Sequence, residues 1–421
     1  MSNFNELFVD KIVESCIKTY KGLPKSGKPL EDEWTVLSCV VQYNMETNEH
    51  QVVSLGTGSK CIGASKMSPT GNILNDSHAE VFARRGFLMY IYENIINLLD
   101  QKQSIFVKEV EKFKLKDNIG FIFYSSQMPC GDASIIPMKG EEDDFGNLIL
   151  NKRGAMDDNC DIECKKQKID IYRTGAKCLP HTQQDPKGSG EDYHIVGKVR
   201  TKPGRGDRTL SVSCSDKIAR WIHLGIQGSL LDMLLYEPLT IKHFIFGAGV
   251  PYSVETLNRA FLLRDSYLSI EDRLKEIPKL YKSSIKFINT RGAVNIRPAP
   301  GIDPEIIPYN LTNSQPLPLY NIREVAVHGL KLGVTKKKAN SANSSLCISK
   351  YNLYKKFHEV ILKSKELQTN ICSSESLSNI PYNEMKKKSV RYQSQWSKIR
   401  EAFFKTWTVK PDMWNFTIKD K

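Results

Sequence analysis

The alternation of strand and helix patterns in the first third of the chain constrains the fold more than any other feature of this sequence. Residues 34–43 and 51–55 are rich in β-branched and apolar residues, as is typical of strands. Residues 78–99 carry apolar side chains at helical spacing, and residues 120–125 have the pattern of a short buried strand. Strand, helix, strand and turn in this order predict an α/β fold, in the broad sense that includes α+β.

The middle of the chain changes in composition before regular patterns return. Residues of about 139–208 are rich in Gly, Asp, Lys and Gln, which predicts an insertion of long loops with one or two short strands. Residues 215–235 predict a helix, a turn and a second helix. They are followed by a predicted strand at 241–246 and a predicted helix at 253–263.

The C-terminal part, about residues 251–421, is predicted to be mainly helical. Residues 335–345 have the composition of an exposed linker, and residues 346–405 are helical and basic in pattern. The chain contains no internal repeat. We therefore expect a single domain over residues 1–421, with its core at about residues 50–250.

The charge balance favours a polyanionic partner. Lys and Arg number 60 against 47 Asp and Glu, which gives a formal net charge of +13, and such a balance is typical of nucleic-acid binding. The N-terminus lacks the pattern of a secretory signal, and no window has the roughly 18 consecutive apolar residues of a membrane span. We expect a soluble intracellular protein of the nucleus, the cytoplasm or both, with no membrane interaction.

A candidate zinc site combines residues that are far apart in sequence. The ten cysteines are dispersed, which favours reduced thiols or metal ligands over disulfides. His78-Ala79-Glu80 followed by Pro129-Cys130 matches half of the H-x-E and P-C-x-x-C pattern of zinc nucleobase deaminases. Position 133 carries Ala, so a third ligand must come from elsewhere, and Cys214 is the candidate.

These residue types suit catalytic zinc chemistry. One imidazole and two thiolates hold Zn²⁺ and leave a fourth tetrahedral position open for water. Zinc lowers the pKa of the bound water toward about 7, and a carboxylate that does not bind the metal can take the proton. Glu80, two residues after His78, is the predicted proton shuttle.

A second group of metal-binding residue types competes with this site. Cys160 and Cys164, followed by Cys178 and His181, have the approximate spacing of a structural zinc knuckle. Their surroundings have the composition of a solvated loop, in which incidental thiols are the simpler interpretation. Whether these four residues bind a metal stays open at the level of sequence.

Several cations occupy helix positions that are predicted to be buried. Arg84 and Arg85 lie on a helix that is apolar nearly all round, and Lys217 and Arg220 lie beside apolar residues on a later helix. Burying an unpaired cation is costly. Either these side chains reach out to solvent, or a bound polyanion lies between them.

Three segments carry a resemblance to a known family. They are residues 74–80 (LNDSHAE), 129–132 (PCGD) and 213–221 (SCSDKIARW), the last running into GIQGS. They resemble the RNA adenosine deaminases, which include double-stranded RNA editing enzymes and tRNA deaminases. The similarity extends from about residue 54 to residue 411. It implies a cytidine-deaminase-like mixed sheet flanked by helices, enlarged by a helical C-terminal half around a buried polyphosphate.

Two further segments resemble the tRNA branch of that family, residues 172–177 (YRTGAK) and 200–208 (RTKPGRGDR). No separate double-stranded RNA-binding domain is expected beside the catalytic one. The resemblance implies zinc-dependent hydrolytic deamination of adenosine to inosine, 3′ of the anticodon in eukaryotic alanine tRNA. The implied partner is the anticodon arm of that tRNA, without an obligate protein partner. A double-stranded RNA or mRNA editing enzyme and an inactive RNA-binding relative are the alternatives.

The resemblance also assigns residues to roles. The zinc ligands of the family correspond to His78, Cys130 and Cys214, and its proton shuttle corresponds to Glu80. The family buries inositol hexakisphosphate, which would neutralise the cations through charge-assisted hydrogen bonds, and Trp396 stands where a further basic contact is expected. The implied contacts of this polyphosphate are Asn75, Arg84, Arg85, Lys217, Arg220, Trp221, Gln227, Ser229, Lys350, Tyr382, Lys386, Tyr392, Trp407 and Lys410. Asp76 and Lys217 would link the polyphosphate to the zinc site.

RNA contacts are a hypothesis for the basic segment at the C-terminal end of the insertion. Its cations could bind tRNA phosphates, and a solvated basic loop would have the same composition. The double-stranded editing enzymes flip their target base with a Glu in a Gly-Glu-Gly loop, which is not found near residues 177–184. An unpaired anticodon-loop adenosine costs little to extrude, so the chemistry does not need that loop. The candidate contacts are Lys198, Arg200, Lys202, Arg205 and Arg208.

Overall fold

The structure of this protein is a computed structural model. It describes residues 4–30, 33–137, 171–172, 174–186, 194–203, 207–264, 266–274, 276–290, 305–308, 323–338, 342–372, 376–408 and 413–418. The helices in these residues are α1 (Glu6–Lys21), α2 (Ala79–Leu99), α3 (Cys214–Leu224), α4 (Gly228–Leu234), α5 (Val254–Phe261), α6 (Ile270–Arg273), α7 (Lys350–Leu362), α8 (Lys365–Cys372), α9 (Tyr382–Lys387) and α10 (Val390–Ile399). A π-helix, Arg400–Phe404, continues from α10.

The strands of the described chain lie between residues 37 and 331. They are β1 (Leu37–Asn44), β2 (His50–Thr57), β3 (Ser59–Cys61), β4 (Asp76–His78), β5 (Phe106–Glu109), β6 (Lys112–Leu115), β7 (Ile119–Ser125), β8 (Ile136–Pro137), β9 (Ile171–Tyr172), β10 (Lys177–Cys178), β11 (Arg200–Thr201), β12 (His243–Ala248), β13 (Lys279–Lys286), β14 (Glu305–Pro308), β15 (Glu324–Val327) and β16 (Leu330–Lys331). Among the described residues, no helix combines the length and apolar character needed to cross a membrane.

The central sheet is mixed, as the sequence predicts. Its strand order is β13-β12-β7-β1-β2-β14-β15-β16. β12 runs parallel to both β7 and β13, whereas β1 is antiparallel to β2 and β7. β1 and β7 are mostly apolar on their buried stretches because both faces of the sheet are covered by helices. The buried Ser38 hydroxyl donates a hydrogen bond to Ser125 Oγ at 3.2 Å.

Helix α2 covers one face of this sheet and positions the candidate site. Its apolar side chains lie on nearly every side, which is typical of a helix enclosed by a core. It packs against β1 and β2 and is covered by α7. The chain passes directly from β4 into α2, with His78 as the N-cap residue. The first turn of a fully enclosed helix therefore carries both His78 and Glu80.

Helix α1, which the sequence analysis did not predict, covers the opposite face of the sheet. The side chain of Asn5 caps it by accepting a hydrogen bond from the backbone N–H of Phe8 at 3.0 Å. Its apolar stripe includes Ile12, Val13 and Cys16, which are fully buried against the sheet. Two apolar layers, one on each face, therefore enclose the strands.

The predicted elements of the deaminase core are confirmed, and the C-terminal prediction is wrong in part. Strands β1, β2, β7 and β12 and helices α2 to α5 occupy the predicted positions, and residues 346–405 are helical. The region 251–421 also contains β13 to β16, which were not predicted. β13 is a lysine-rich edge strand, Lys279–Lys286, and its polar, half-exposed pattern hides the strand signal. In the described part of the insertion, three two-residue strands replace the one or two expected.

Candidate active site

Two short pieces of backbone bring His78 and Glu80 into the interior. β4 pairs with β3, which places Ser59 opposite His78. His78 ends the strand, and Glu80 lies in the first turn of α2 with only 3% of its surface exposed. Among the described residues, Glu80 Oε2 has no hydrogen-bond partner. A buried carboxylate oxygen without a partner is available to a ligand or to a substrate.

Cys130 reaches the site on the turn after β7. Gly131 has a φ of 107°, and a Cβ at this position would lie 2.2 Å from Ser213 Oγ. Only glycine allows this close approach of the turn to the segment before α3. The backbone N–H of Ser215 donates to the carbonyl of Cys130 at 3.0 Å, which fixes the contact.

Cys214 is the first residue of α3 and meets Cys130. Ser213 caps the helix by accepting a hydrogen bond from the backbone N–H of Asp216 at 3.2 Å. The backbone N–H of Cys214 donates to Cys130 Sγ at 3.3 Å. The pKa of Cys130 is lowered well below its usual value by a hydrogen bond from the Cys214 thiol and by the charge of Lys202, although burial opposes the shift.

The imidazole of His78 is oriented by its Nδ1 atom. Nδ1 lies 2.9 Å from Asp76 Oδ1 and 3.0 Å from the carbonyl oxygen of Lys60. Both partners accept hydrogen bonds, so Nδ1 carries the proton and Nε2 keeps its lone pair in the neutral ring. Burial and Lys202 lower the pKa of His78, but Asp76 raises it to about 9. A metal-binding histidine typically has this arrangement.

The donor set suits zinc. The Cys130 side chain is within hydrogen-bonding reach of both His78 and Cys214, which brings the three side chains together. Two sulfurs and one imidazole nitrogen are ligands that zinc prefers, and Glu80 lies beside them without being needed as a ligand. Among the described residues, no group of three His, Cys, Asp or Glu side chains has the geometry of a metal-binding site. The case for zinc therefore rests on donor chemistry and on the orientation of His78.

Lys202 is buried at the centre of this network, which the sequence analysis missed. Its Nζ lies 3.0 Å from Cys214 Sγ and 2.9 Å from Asp76 Oδ2. The side chain has no exposed surface, so the hypothesis that it binds RNA phosphate is wrong. Asp76 also contacts Lys217 Nζ. Burial raises the pKa of Asp76, but the charges of Lys202, Lys217 and His78 together lower it well below its usual value. Asp76 thus joins two lysines to His78.

A cavity of about 270 Å³ opens on the far side of Lys217. It lies between α2, α3 and the C-terminal helices, and Asp76 belongs to its lining. Lys410 lies outside the described residues. The other thirteen predicted polyphosphate contacts all line this cavity: Asn75, Arg84, Arg85, Lys217, Arg220, Trp221, Gln227, Ser229, Lys350, Tyr382, Lys386, Tyr392 and Trp407.

The cavity has an excess of positive charge. Six of its lining residues are Arg or Lys, and Asp76 is the carboxylate among those that the structure describes. Burial lowers the pKa of Arg84 and of Arg85 to about 10. Burial, together with the charge of Arg220, lowers the pKa of Lys386 to about 8. These cations are destabilised where they stand, so an anion would stabilise them.

Several polar atoms of the cavity are also left without protein partners. Within the described residues, Asn75 Nδ2 and Oδ1, Arg85 Nη2 and Arg220 Nε are buried and make no hydrogen bond. Trp396, which stands where a basic residue was expected, lies with its ring centroid 3.6 Å from the Arg220 guanidinium carbon. An aromatic face there holds Arg220 in place through a cation–π contact. Donors fixed in this way suit a compact polyanion.

The remaining predicted RNA contacts are placed differently from one another. Lys198 and Arg208 are exposed, and Arg205 lies outside the described residues. Arg200 is 1% exposed and makes a two-pronged contact with Asp185, both distances being 2.7 Å. For Arg200 the hypothesis of an RNA contact is therefore wrong, because its guanidinium is buried and paired.

Of the four residues of the possible zinc knuckle, two are described by the structure. Cys160 and Cys164 lie outside the described residues. Cys178 is buried with its Sγ 3.7 Å from Asp185 Oδ1, and His181 is exposed with a φ of 67°. This part of the chain shows no support for a second metal among the residues that are described.

Known proteins are similar in sequence to most of this chain. Residues 54–411 match the family model "Adenosine-deaminase (editase) domain". The chain is 36% identical to tRNA-specific adenosine deaminase 1 of Drosophila melanogaster, over 96% of this chain and 95% of the relative. It is 33% identical to tRNA-specific adenosine deaminase 1 of Homo sapiens, over 96% and 98%. The double-stranded RNA-specific editase Adar of Drosophila melanogaster is 31% identical over 58% of this chain and 34% of its own length.

Proposed function

The chain belongs to the adenosine-deaminase (editase) family and is an adenosine deaminase, and we propose that it converts adenosine to inosine in tRNA. The relatives that match 96% of the chain are tRNA-specific, whereas the double-stranded editase matches 58% of it. We propose more narrowly that the target is the adenosine 3′ of the anticodon in alanine tRNA, which is bound through its anticodon arm.

The observation that carries the catalytic proposal is the position of Glu80. Its carboxylate is buried beside Cys130, and burial, followed by the charge of Cys130, raises its pKa above the usual value. A carboxylate with a raised pKa exchanges protons more readily near neutral pH, as a general acid and base must. Its neighbours His78, Cys130 and Cys214 are the residues that would hold zinc.

Zinc, when bound by these three residues, would make a water molecule acidic enough to act as the nucleophile. Glu80 would take a proton from the attacking water as the water oxygen bonds to C6 of the purine, and would deliver that proton to N1. It would then move the proton of the new C6 hydroxyl to the exocyclic amine, so that the bond from C6 to nitrogen breaks, ammonia leaves and C6 becomes a carbonyl. Lys202 holds Cys214 Sγ through its 3.0 Å contact, and Asp76 holds the His78 ring.

We further propose that the cation-lined cavity holds inositol hexakisphosphate as a structural cofactor. Its excess of lysines and arginines and the unpaired polar atoms of Asn75 and Arg220 support this proposal. Phosphate oxygens would accept charge-assisted hydrogen bonds from these donors. The Asp76 contacts with Lys217 and Lys202 would then connect the polyphosphate wall with the site that holds His78 and Cys214.

Activity is tested by measuring inosine in an unmodified alanine tRNA transcript, beside perfect duplex RNA and free adenosine. Glu80→Gln is expected to lower the rate by about 10²- to 10⁴-fold while retaining bound zinc. Glu14→Gln is the control, since Glu14 is exposed on α1, on the other face of the sheet. Inosine in duplex RNA alone would favour a double-stranded editing enzyme. No inosine from zinc-loaded protein would indicate an RNA-binding role.

The polyphosphate is tested by denaturing the purified protein and analysing the released small molecules by mass spectrometry. Inositol hexakisphosphate is expected at about one equivalent per chain. Arg84→Ala and Lys217→Ala are expected to yield insoluble protein, because each removes a donor from the cavity. Lys337→Ala, at an exposed position, is the control. Soluble, stable variants that lack the polyphosphate would contradict a structural role.

A further inference from the structure

A second cavity, of about 230 Å³, lies where the C-terminal part of the insertion meets the π-helix. Thr182, Gln183 and Lys198 line it from the first side, and Phe403 and Lys405 line it from the second. It shares no lining residue with the cation-lined cavity. None of the roles assigned so far to the catalytic site or the polyphosphate uses it.

One wall of this cavity is held in place by buried polar contacts. Besides pairing with Asp185, Arg200 donates to the carbonyl of Ile195 at 2.7 Å. The backbone N–H of Gly197 donates to Asp132 Oδ1 at 2.7 Å, and Asp132 is fully buried. These contacts fix the backbone on both sides of Lys198. The pairing with Arg200 also neutralises the charge of Asp185, so this neighbouring carboxylate does not oppose an anion in the cavity.

The other wall is unusual in its backbone. The π-helix ends at Phe404, and Lys405 has a φ of 54° in the left-handed region. π-Helical turns and strained non-glycine residues are both found preferentially at functional sites. The rings of Phe403 and Phe404 are buried, and each lies 5.4 Å from the guanidinium carbon of Arg264. The floor is rigid and apolar, and the lysines stand at its exposed rim.

The cavity lies close to the catalytic residues. Val199 in its lining precedes Arg200, and the carbonyl of Arg200 accepts a hydrogen bond from the backbone N–H of Ser213 at 2.7 Å. Ser213 precedes Cys214. The Cα path from Val199 to Cys214 is therefore at most about 13 Å, given the usual spacings along a chain and across an antiparallel contact. This separation is short enough for one RNA molecule to contact both the cavity and the site of Glu80.

We propose that this cavity binds a backbone phosphate of the substrate RNA, close to the target adenosine, through Lys198 and Lys405. The inference rests on the proposed function and assigns it a second contact site. Lysine amines at the rim supply the charge, while the Thr182 hydroxyl and the Gln183 amide are the neutral donors that commonly accompany phosphate contacts. Such contacts position the RNA and are read in the salt dependence of binding.

The test measures tRNA binding as a function of salt in full-length protein that carries Glu80→Gln to prevent turnover. Lys198→Ala combined with Lys405→Ala is expected to reduce the slope of log Kd against log salt by roughly 1, since the loss of one phosphate contact removes somewhat less than one unit. Lys11→Ala combined with Lys18→Ala is the matched control. It removes two exposed lysines from α1, on the other face of the sheet.

Kinetics on active protein separate positioning from chemistry. The double variant is expected to raise KM for the tRNA and to leave kcat at saturating tRNA unchanged, and Lys198→Arg with Lys405→Arg is expected to restore KM. Lys198→Ala alone, on an exposed loop, is expected to give about half of the change in slope, which guards against misfolding at Lys405. A salt slope and KM equal to those of the α1 control would overturn the inference. If protein without these substitutions neither binds nor deaminates tRNA, the proposed function fails first.

Discussion

Replacing Lys202 by methionine isolates the contribution of the buried lysine. Methionine keeps most of the volume of the side chain and removes its charge. Lys202 is fully buried between Asp76 and Cys214 Sγ, at 2.9 and 3.0 Å. Removing one partner of a buried charge pair costs about 3–5 kcal/mol. Because Lys217 still contacts Asp76, the loss is expected at the low end, about 3 kcal/mol.

Urea unfolding followed by tryptophan fluorescence measures this loss. With a slope of about 3 kcal/mol per molar urea, the midpoint is expected to fall by about 1 M. Competition with a chromophoric chelator is expected to show a 10- to 100-fold weaker affinity for zinc, roughly the usual effect of removing a partner of a metal ligand. Lys198→Met, a few residues away and exposed, should change stability by less than about 0.5 kcal/mol. An unchanged midpoint and zinc affinity in Lys202→Met would refute the role of Lys202.

Two further predictions concern the turn and the far face of the sheet. Gly131→Ala would place a Cβ 2.2 Å from Ser213 Oγ at a φ of 107°, so it is expected to separate Cys130 from Cys214. The measurement is the zinc content per folded chain, and full zinc occupancy would contradict this geometry. Burial lowers the pKa of His243 to about 4, so the unfolded chain binds more protons between about pH 4 and pH 6.5. Stability from this group is complete above pH 6.5 and is lost as the pH falls toward 4. His243→Gln should reduce the slope of unfolding free energy against pH in that window by up to about 1.4 kcal/mol per pH unit, and an unchanged slope would show that another group titrates.

Parts of the candidate site could be recognised from the sequence because their patterns are local. His78 and Glu80 are two residues apart. Cys130 lies in the turn after β7, and Cys214 opens helix α3. The cation-lined cavity could also be predicted, since buried arginines on an apolar helix need a counter-charge. These predictions depend on short sequence patterns, which can be recognised without knowing how the rest of the chain packs.

Lys202 could not be placed in this way. It lies in a basic segment, and charge alone does not distinguish a lysine that reaches solvent from one enclosed by Asp76 and Cys214. The same holds for Arg200, whose partner Asp185 lies 15 residues earlier in the sequence. Burial of such residues is decided by how the loop crosses the surface, which is a property of tertiary packing. β13 was missed for a related reason, because its lysines face solvent along a sheet edge.

The walls of the cation-lined cavity are synthesised at different times. Arg84 and Arg85 come from the first quarter of the chain, whereas Trp407 comes from its last few percent. At a translation rate of about 5–20 residues per second, on the order of 20 to 60 s separate the synthesis of the first wall from that of the last. Throughout this interval the early arginines face an incomplete enclosure. The nascent chain must therefore keep helix α2 from settling against the wrong neighbours until its own C-terminal residues have left the ribosome.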